Sequence, residues 1–464
     1  MHDALTWAMI TFGCCALGHE RRKMRLVDYA AREASRLGCS TAAACEGDAA
    51  AAEGAYRLMR NNAVNPDDIA EGGFQATVRA AQDCGTLLAI EDTSTLEFLH
   101  SVVGELGDIG GPANAKARGF WVHSTLLVDA ANARTVGLID QQWWTRQRER
   151  IGRGRSRKHL PREEIESEKW AFSSQCTTDR LGEKMSDVIS VCDREADYFA
   201  YMAFKRAVGQ RFIIRAKYDR RLAEGDELWS RARAATELGT AVFEITQRGS
   251  NTPRPQRKAE LVVRSERVVL KPPRGRAAAG ELAVTLVYAH EASAGDGEPI
   301  EWLLLTTEDA STIEAAVRVL EYYRLRWRIE DFHKAWKSGC HVEERRMQTP
   351  ENLQRVAVVL AFVAVRLLQL RDAAALDPEQ PCTIIFTEDE WRCLYVLRTK
   401  KKPPNKAPTL KWAFDAIAKL GGFLDTKRTG RPGWETLWNG WLRLQDMVSF
   451  REALGDAGLS TPEM

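Results

Sequence analysis

Residues 321–340 read EYYRLRWRIEDFHKAWKSGC, in which Tyr323, Arg326, Glu330 and Lys337 follow one another at intervals of three, four and seven. On a helix, at about 100° per residue, all four fall within roughly a 60° arc. Trp327 and Lys334 lie close to the same arc, while Leu325, Ile329, Phe332 and Trp336 form an apolar stripe on the other side. An ordinary amphipathic helix with a solvated charged face would show the same split. Gathering Arg, Lys and Tyr around one Glu goes beyond what a solvated face requires. It suits a site that holds a metal ion and a phosphate backbone together.

Two other stretches supply acids of the same kind. LLAIEDTSTLEF places Asp92 after the apolar run Leu87–Ile90, and VISVCDREADYFAY places Asp193 after Val188–Val191. An acid where a buried strand meets a loop is exposed at the sheet rim yet held rigidly. Taken alone, each Asp could equally be a turn or helix-capping residue. Together with Glu330 they make a hard-oxygen set suited to Mg²⁺ or Mn²⁺. Two ions so held can drive in-line attack at phosphorus.

The same residues carry a family resemblance. EGAYRLMRN, LLAIEDTS, RTVGLIDQQWW, VCDREADYFAY, RFIIRAK, EWLLLTTE, YRLRWRIEDFHKAWKSG, AFVAVRLLQL and AIAKLGGFLDTKRTG run along nearly the whole chain. In these stretches the chain resembles the bacterial cut-and-paste DDE transposases of the insertion-sequence-four type, the subgroup marked by Tyr-x2-Arg-x3-Glu-x6-Lys. The resemblance implies a DNA-end recognition domain at residues 1–65, in which Arg21, Arg22, Arg25 and Arg57 match basic positions. Ser35 and Arg36 depart from the pattern, where a close relative has Lys and Tyr, so the end sequence stays open. It also implies that Tyr323 and Arg326 clamp a phosphate beside an extruded base, and that Trp302 receives that base; a core strand tryptophan is the alternative. Arg215 matches a DNA contact. Lys217, Trp327, His333, Lys334 and Lys337 are further candidates to reach DNA.

Strand patterning agrees with an α/β core. LLAIEDT, FWVHSTLLVDA and RTVGLIDQQWW are closely spaced and suit an antiparallel meander. The VISVCD strand, a helix and RFIIRAK follow. This order fits a ribonuclease-H-like fold, whose first and fourth strands are neighbours, which would bring Asp92 to Asp193. The interval from Asp193 to Glu330 exceeds what one helix and one strand need. Residues 220–305 are β-rich and read as an insertion within a catalytic domain of residues 66–345. Residues 346–464 are mostly helical by periodicity. By resemblance they serve dimerisation, and the C-terminal region can hold back end binding by the N-terminal one.

Composition bounds the rest. The 464 residues suffice for two or three domains. Net charge is only +2, but the charge is local: 146–162 holds eight Lys or Arg against one Glu, 251–276 holds eight against two acids, and 398–411 is basic without an acid. Such runs are either solvated loops or phosphate contacts. Ten scattered Cys without a Cys-x2-Cys pair suit reduced thiols in a cytoplasm. No run of 18 uninterrupted apolar residues suggests a membrane span, and an early Asp3 without a basic flank argues against a signal peptide. HExxH, GxSxG and a Gly-rich phosphate loop before a helix do not occur.

The reading is a Mg²⁺-dependent transposase (Mn²⁺ able to substitute) acting as a homodimer on double-stranded DNA, at transposon inverted-repeat ends and target DNA. It would work in the bacterial cytoplasm, associated with the nucleoid. Two alternatives stand beside it: a DNA-end-binding dimeric regulator, and a structure-selective nuclease of the same fold without strand transfer.

Overall fold

The computed structural model describes residues 3–110, 116–145, 168–245, 257–274, 280–292, 299–424 and 432–457. The basic run 146–162 lies outside them, as do 251–256 and 275–276 of the second run. Helices α1 (Ala4–Phe12), α2 (Glu20–Ser35), α3 (Thr41–Ala44) and α4 (Ala49–Met59) come first, then α5 (Pro66–Ala81). Side-chain caps start most of them: Asp3, Ser40, Asp48 and Asn65 each accept a first-turn N–H.

The core sheet begins with β1 (Leu87–Glu97), which pairs antiparallel with β3 (Arg118–Asp129), itself antiparallel to β4 (Thr135–Trp144). A two-residue strand β2 (Gly107–Asp108) extends the β3 edge. After α6 (Lys169–Leu181) the chain enters β5 (Val188–Cys192), which lies parallel to β1. Helix α7 (Phe199–Ala207) crosses back to β6 (Arg211–Arg215), parallel to β5. An antiparallel meander followed by two parallel strands beside the first is the ribonuclease-H-like order. The parallel strands are buried on both faces and correspondingly apolar.

The β-rich stretch is continuous with this sheet. After α8 (Leu228–Ala234), the strands β7 (Glu237–Ile245), β8 (Arg257–Leu270), β9 (Leu282–Glu291) and β10 (Glu301–Thr306) form an antiparallel run, and β10 pairs with β6. One ten-stranded sheet results.

Helices α9 (Ile313–Arg324) and α10 (Arg328–Lys334) bring the chain back to the core strands. The helices α11 (Pro350–Leu376), α12 (Glu388–Thr399), α13 (Leu410–Leu420) and α14 (Trp434–Asp456) complete it. Among the described residues α11 is the one helix long and apolar enough to cross a membrane, but 89% of its most apolar window is buried within the protein. It packs against α2, α4, α5, α13 and β4, and so joins the N-terminal helices, the sheet and the C-terminal helices. A buried ion pair adds to this joint. Arg345 meets Glu33 of α2 through two hydrogen bonds, at 3.1 and 2.9 Å.

Candidate active site

Register brings the two aspartates together. The β1–β5 ladder pairs Leu87 with Val188 and runs to Ile90 with Val191. Two residues further on, Asp92 and Asp193 follow in the same register. Asp193 stands just past the end of β5, but Asp92 lies within β1, which runs on to Glu97 and pairs Asp92 with Ser124 of β3, so the expectation that Asp92 sits where a strand meets a loop is corrected. The Asp92 carboxylate accepts the N–H of Thr93 at 2.8 Å, and Asp193 accepts that of Glu195 at 2.8 Å. Asp193 thus also caps a short 3-10 turn, the role a lone Asp would have there. Burial pushes the Asp92 carboxyl up to about 6. Asp193 and Glu330 add to the rise, while the Thr93 N–H and Arg326 oppose it. Asp92 therefore senses both of the other acids.

The signature segment is not one regular helix, and the expectation of a single 60° face is corrected here. Helix α9 stops at Arg324, Leu325–Trp327 form a 3-10 turn, α10 follows, and Ala335–Gly339 widen into a π-helical turn. Changes of turn width rotate successive side chains away from a constant 100° step. Tyr323 and Arg326 turn inward and are buried, Trp327 and Lys334 are exposed, and Lys337 lies 3.8 Å from Glu343. Ile329, Phe332 and Trp336 fill the core as their spacing implies.

Arg326 donates to Glu330 at 2.8 Å and lies over the Trp327 ring at 4.8 Å. Burial works against its charge, but Tyr323, Glu330 and Asp92 outweigh that effect and hold the guanidinium charged. Its Nε is buried without a partner. Burial raises the Tyr323 phenol, and Arg215 and Arg326 offset part of the rise. Trp302, half-buried on β10, sets its edge against Tyr323, the ring centroids 5.6 Å apart. Arg215 donates to the Glu301 carbonyl at 3.0 Å and interacts with Tyr323. The structure therefore gathers Asp92, Asp193, Glu330, Tyr323, Arg326, Arg215 and Trp302 at one end of the sheet.

Other candidates fall elsewhere. His333 is only 7% exposed, its Nε2 has no partner, and burial pushes its imidazole down to about 3. It is a neutral core residue in this conformation, so the expectation that it reaches phosphate is corrected. Lys217 is exposed beside Tyr218. Arg21, Arg25 and Arg57 are exposed on α2 and α4, with Arg57 paired to Glu53 at 2.8 Å. Arg22 instead donates to the Leu17 carbonyl at 3.1 Å, which ties α2 to the preceding loop.

Sequence reading passed over the groups behind the acids. Glu91, His123, Cys192, Tyr201 and Lys205 are all buried on the far side of the strands from Asp92 and Asp193. A Glu inside LLAIED and a His inside FWVHSTLLVDA were the available signals. Asp197 was also missed. It is fully buried, accepts the N–H groups of Lys217 and Tyr218, and pairs with Arg220.

The donor set fits a divalent cation: hard carboxylate oxygens from β1, from the residue after β5 and from one helix, with repulsion from the other two felt at Asp92. Among the described residues no three His, Cys, Asp or Glu side chains stand close enough to cage an ion as they are. Arg326 draws Glu330 to itself.

Comparison with known proteins agrees along most of the chain. Residues 4–64 match a transposase DNA-binding family, residues 179–366 a transposase DDE domain, and residues 359–458 the transposase Tn5 dimerisation domain. The DDE match includes Asp193 and Glu330, and Asp92 precedes it. Among solved structures, a piggyBac transposase in a synaptic complex with hairpin DNA is similar at 11% identity and a TM-score of 0.41, over 81% of this chain and 76% of that one. A likeness at that level is too weak to bear on mechanism. The three family matches, in chain order over a ribonuclease-H-like core, place this protein among the DDE transposases of the Tn5 type.

Proposed function

We propose that this transposase performs metal-dependent cut-and-paste transposition: 3′ nicking at inverted-repeat ends, hairpin formation and opening, and strand transfer to target DNA. The observation that carries the reading is the parallel β1–β5 register, which ends at Ile90 and Val191, two residues before Asp92 and Asp193, with Asp193 and Glu330 of α10 both close enough to raise the Asp92 carboxyl. These three carboxylates would hold Mg²⁺, or Mn²⁺ in its place, which neutralises charge at phosphorus and activates the attacking hydroxyl or water.

The chain's own residues do the rest. Arg326 presents a planar fork that suits a carboxylate or a phosphate equally well. It holds Glu330 here, and a DNA phosphate would draw it away and leave Glu330 to converge with the aspartates. Lys337 would grip the backbone, and Tyr323, buried in this conformation, would support Arg326 and Trp302 from behind. Trp302, half-exposed against Tyr323, offers a ring on which an extruded base can stack and regain some of its unstacking cost. Residues 1–65 would recognise the end through Arg21, Arg25 and Arg57, residues 66–345 would carry the chemistry, and residues 346–464 would pair two protomers on DNA. The Tyr-Arg-Glu-Lys spacing supports the insertion-sequence-four subgroup.

The test is a linear DNA carrying the source element's inverted repeat, incubated with Mg²⁺ and either wild type or Asp193→Ala, and resolved on a denaturing gel. A hairpin band that needs the ion and vanishes in the variant is expected. End binding without cleavage, even with Mn²⁺, would overturn the reading in favour of a regulator. Nicking without any hairpin would do so in favour of a nuclease.

A further inference from the structure

Strand alternation puts Glu91 and Thr93 on the face of β1 opposite Asp92, and it puts Cys192 on the face of β5 opposite Asp193. Behind the acids this face is polar and closed. Glu91, His123, Ser190, Cys192, Tyr201 and Lys205 are each at most 3% exposed. Burying a carboxylate, an ammonium and an imidazole together costs more than filling the space with apolar side chains would. Stability alone does not account for such a cluster.

Its connections lead to one place. Tyr201 donates its hydroxyl to Glu91 Oε1 at 3.4 Å. His123 Nε2 lies 3.4 Å from Glu91 Oε2, and His123 Nδ1 lies 3.0 Å from the Thr93 hydroxyl. A carboxylate can only accept, so Nε2 carries a proton toward Glu91, and Nδ1 hydrogen-bonds the Thr93 hydroxyl. The Trp170 ring meets the imidazole edge-on, with centroids 4.6 Å apart, and fixes its plane. Thr93 in turn donates its backbone N–H to Asp92 Oδ1 at 2.8 Å. Lys205 donates to Ser190 at 2.7 Å; burial lowers its ammonium, and Glu91 offsets part of that.

We infer that His123 is a positioning residue: locked by Trp170 and by Glu91, which Tyr201 holds in turn, it holds the Thr93 side chain and thereby the Thr93 N–H that aims the Asp92 carboxylate at the cation. The inference rests on the assignment of Asp92 as a cation ligand. Three like charges at one sheet end push one another apart, and an ion held by hard oxygens tolerates little misplacement of a donor. A rigid rear anchor answers both needs. Groups behind a ligand commonly change metal affinity by about tenfold or more when removed.

The experiment uses the full chain and the metal alone as probe. Free Mn²⁺ is followed by electron paramagnetic resonance in wild type, Asp92→Asn, His123→Ala and His123→Asn, well below each variant's melting temperature. End cleavage is measured alongside, with kcat and KM separated. His123→Ala is expected to weaken Mn²⁺ binding by about tenfold and to lower kcat with KM for the DNA end unchanged. His123→Asn, whose amide sits near the Nδ1 position, is expected to recover most of the loss. If His123→Ala does not fold, Thr93→Val cuts the same link from the other side and is expected to give the same weakening. Unchanged Mn²⁺ affinity in His123→Ala or Thr93→Val, with Asp92→Asn impaired, would overturn the positioning role alone. Unchanged affinity in Asp92→Asn would overturn the assignment of the site itself, and the inference with it.

Discussion

Replacing Arg345 with Met should destabilise the protein far more than replacing Arg345 and Glu33 together. Glu33 on α2 and Arg345 after the signature segment are both nearly inaccessible and joined by two hydrogen bonds. Arg345 also donates to the Cys340 carbonyl at 3.2 Å, and Thr41 donates to Glu33 at 3.1 Å. Burial opposes the Arg345 charge, but Glu33 and Tyr29 outweigh it. Removing one partner strands the other charge in a place water does not reach, at a cost of about 3–5 kcal/mol. That is a large part of the roughly 5–15 kcal/mol that holds a domain together. Arg345→Met with Glu33→Leu removes both charges and fills the space, so the double variant should recover at least half of the loss. The assay is urea unfolding followed by tryptophan fluorescence for wild type, both single variants and the double. Because the pair fastens α2 to the segment beyond Lys337, the single variants should also expose α2 to early amide exchange. A single-variant cost below about 1 kcal/mol would refute the reasoning, since it would mean that solvent or a rearranged neighbour satisfies the stranded charge.

Other consequences are simpler. His333 is held neutral by burial, its pKa pushed down to about 3 from an ordinary 6.5. The unfolded chain therefore binds a proton that the folded one does not, and the stability present above pH 6.5 is lost as pH falls. Between pH 7 and 5 this amounts to about 2 kcal/mol, and a His333→Leu variant should show a correspondingly flatter pH–stability curve. Helices α13 and α14 touch through backbone, where a Cβ on Gly440 would come within 1.9 Å of the Ile417 carbonyl oxygen. Gly440→Ala should cost about 1–3 kcal/mol and loosen α13 and α14 in hydrogen exchange. Arg36, just after α2, bonds to Ser449 and lies 3.6 Å from Asp446, both on α14, and Trp438 covers Gly339. Truncation before Gly433 should therefore tighten end binding by the free protein in a mobility-shift assay; unchanged binding would count against a restraining role for the last helix.

How much of this was legible in the chain depends on how far apart the interacting residues lie. Apolar runs before Asp92 and Asp193 announced two strands because strand burial is written in consecutive residues, but only Asp193 follows a strand end; β1 continues past Asp92 to Glu97, paired with β3. The step from register to a shared site needed only the order of five strands. The apolar stripe of Ile329, Phe332 and Trp336 was also local, and it is buried as its spacing implied. The fate of the charged side of that segment was not local. A helical wheel assumes a constant turn, but a 3-10 turn and a π turn interrupt this segment, and Tyr323, Arg326 and His333 are buried in it. Nothing in the periodicity distinguishes Arg326 bound to Glu330 from Arg326 reaching solvent. Nor could it pair Glu33 with Arg345 or place His123 behind Thr93, because those contacts join segments distant in the chain. The sequence by itself determined which segments are strands and helices and where the acids sit on them, since hydrophobic period and residue type act over a few residues. Only the tertiary structure decided which charges are buried and what holds them, because desolvation depends on everything that packs around a group.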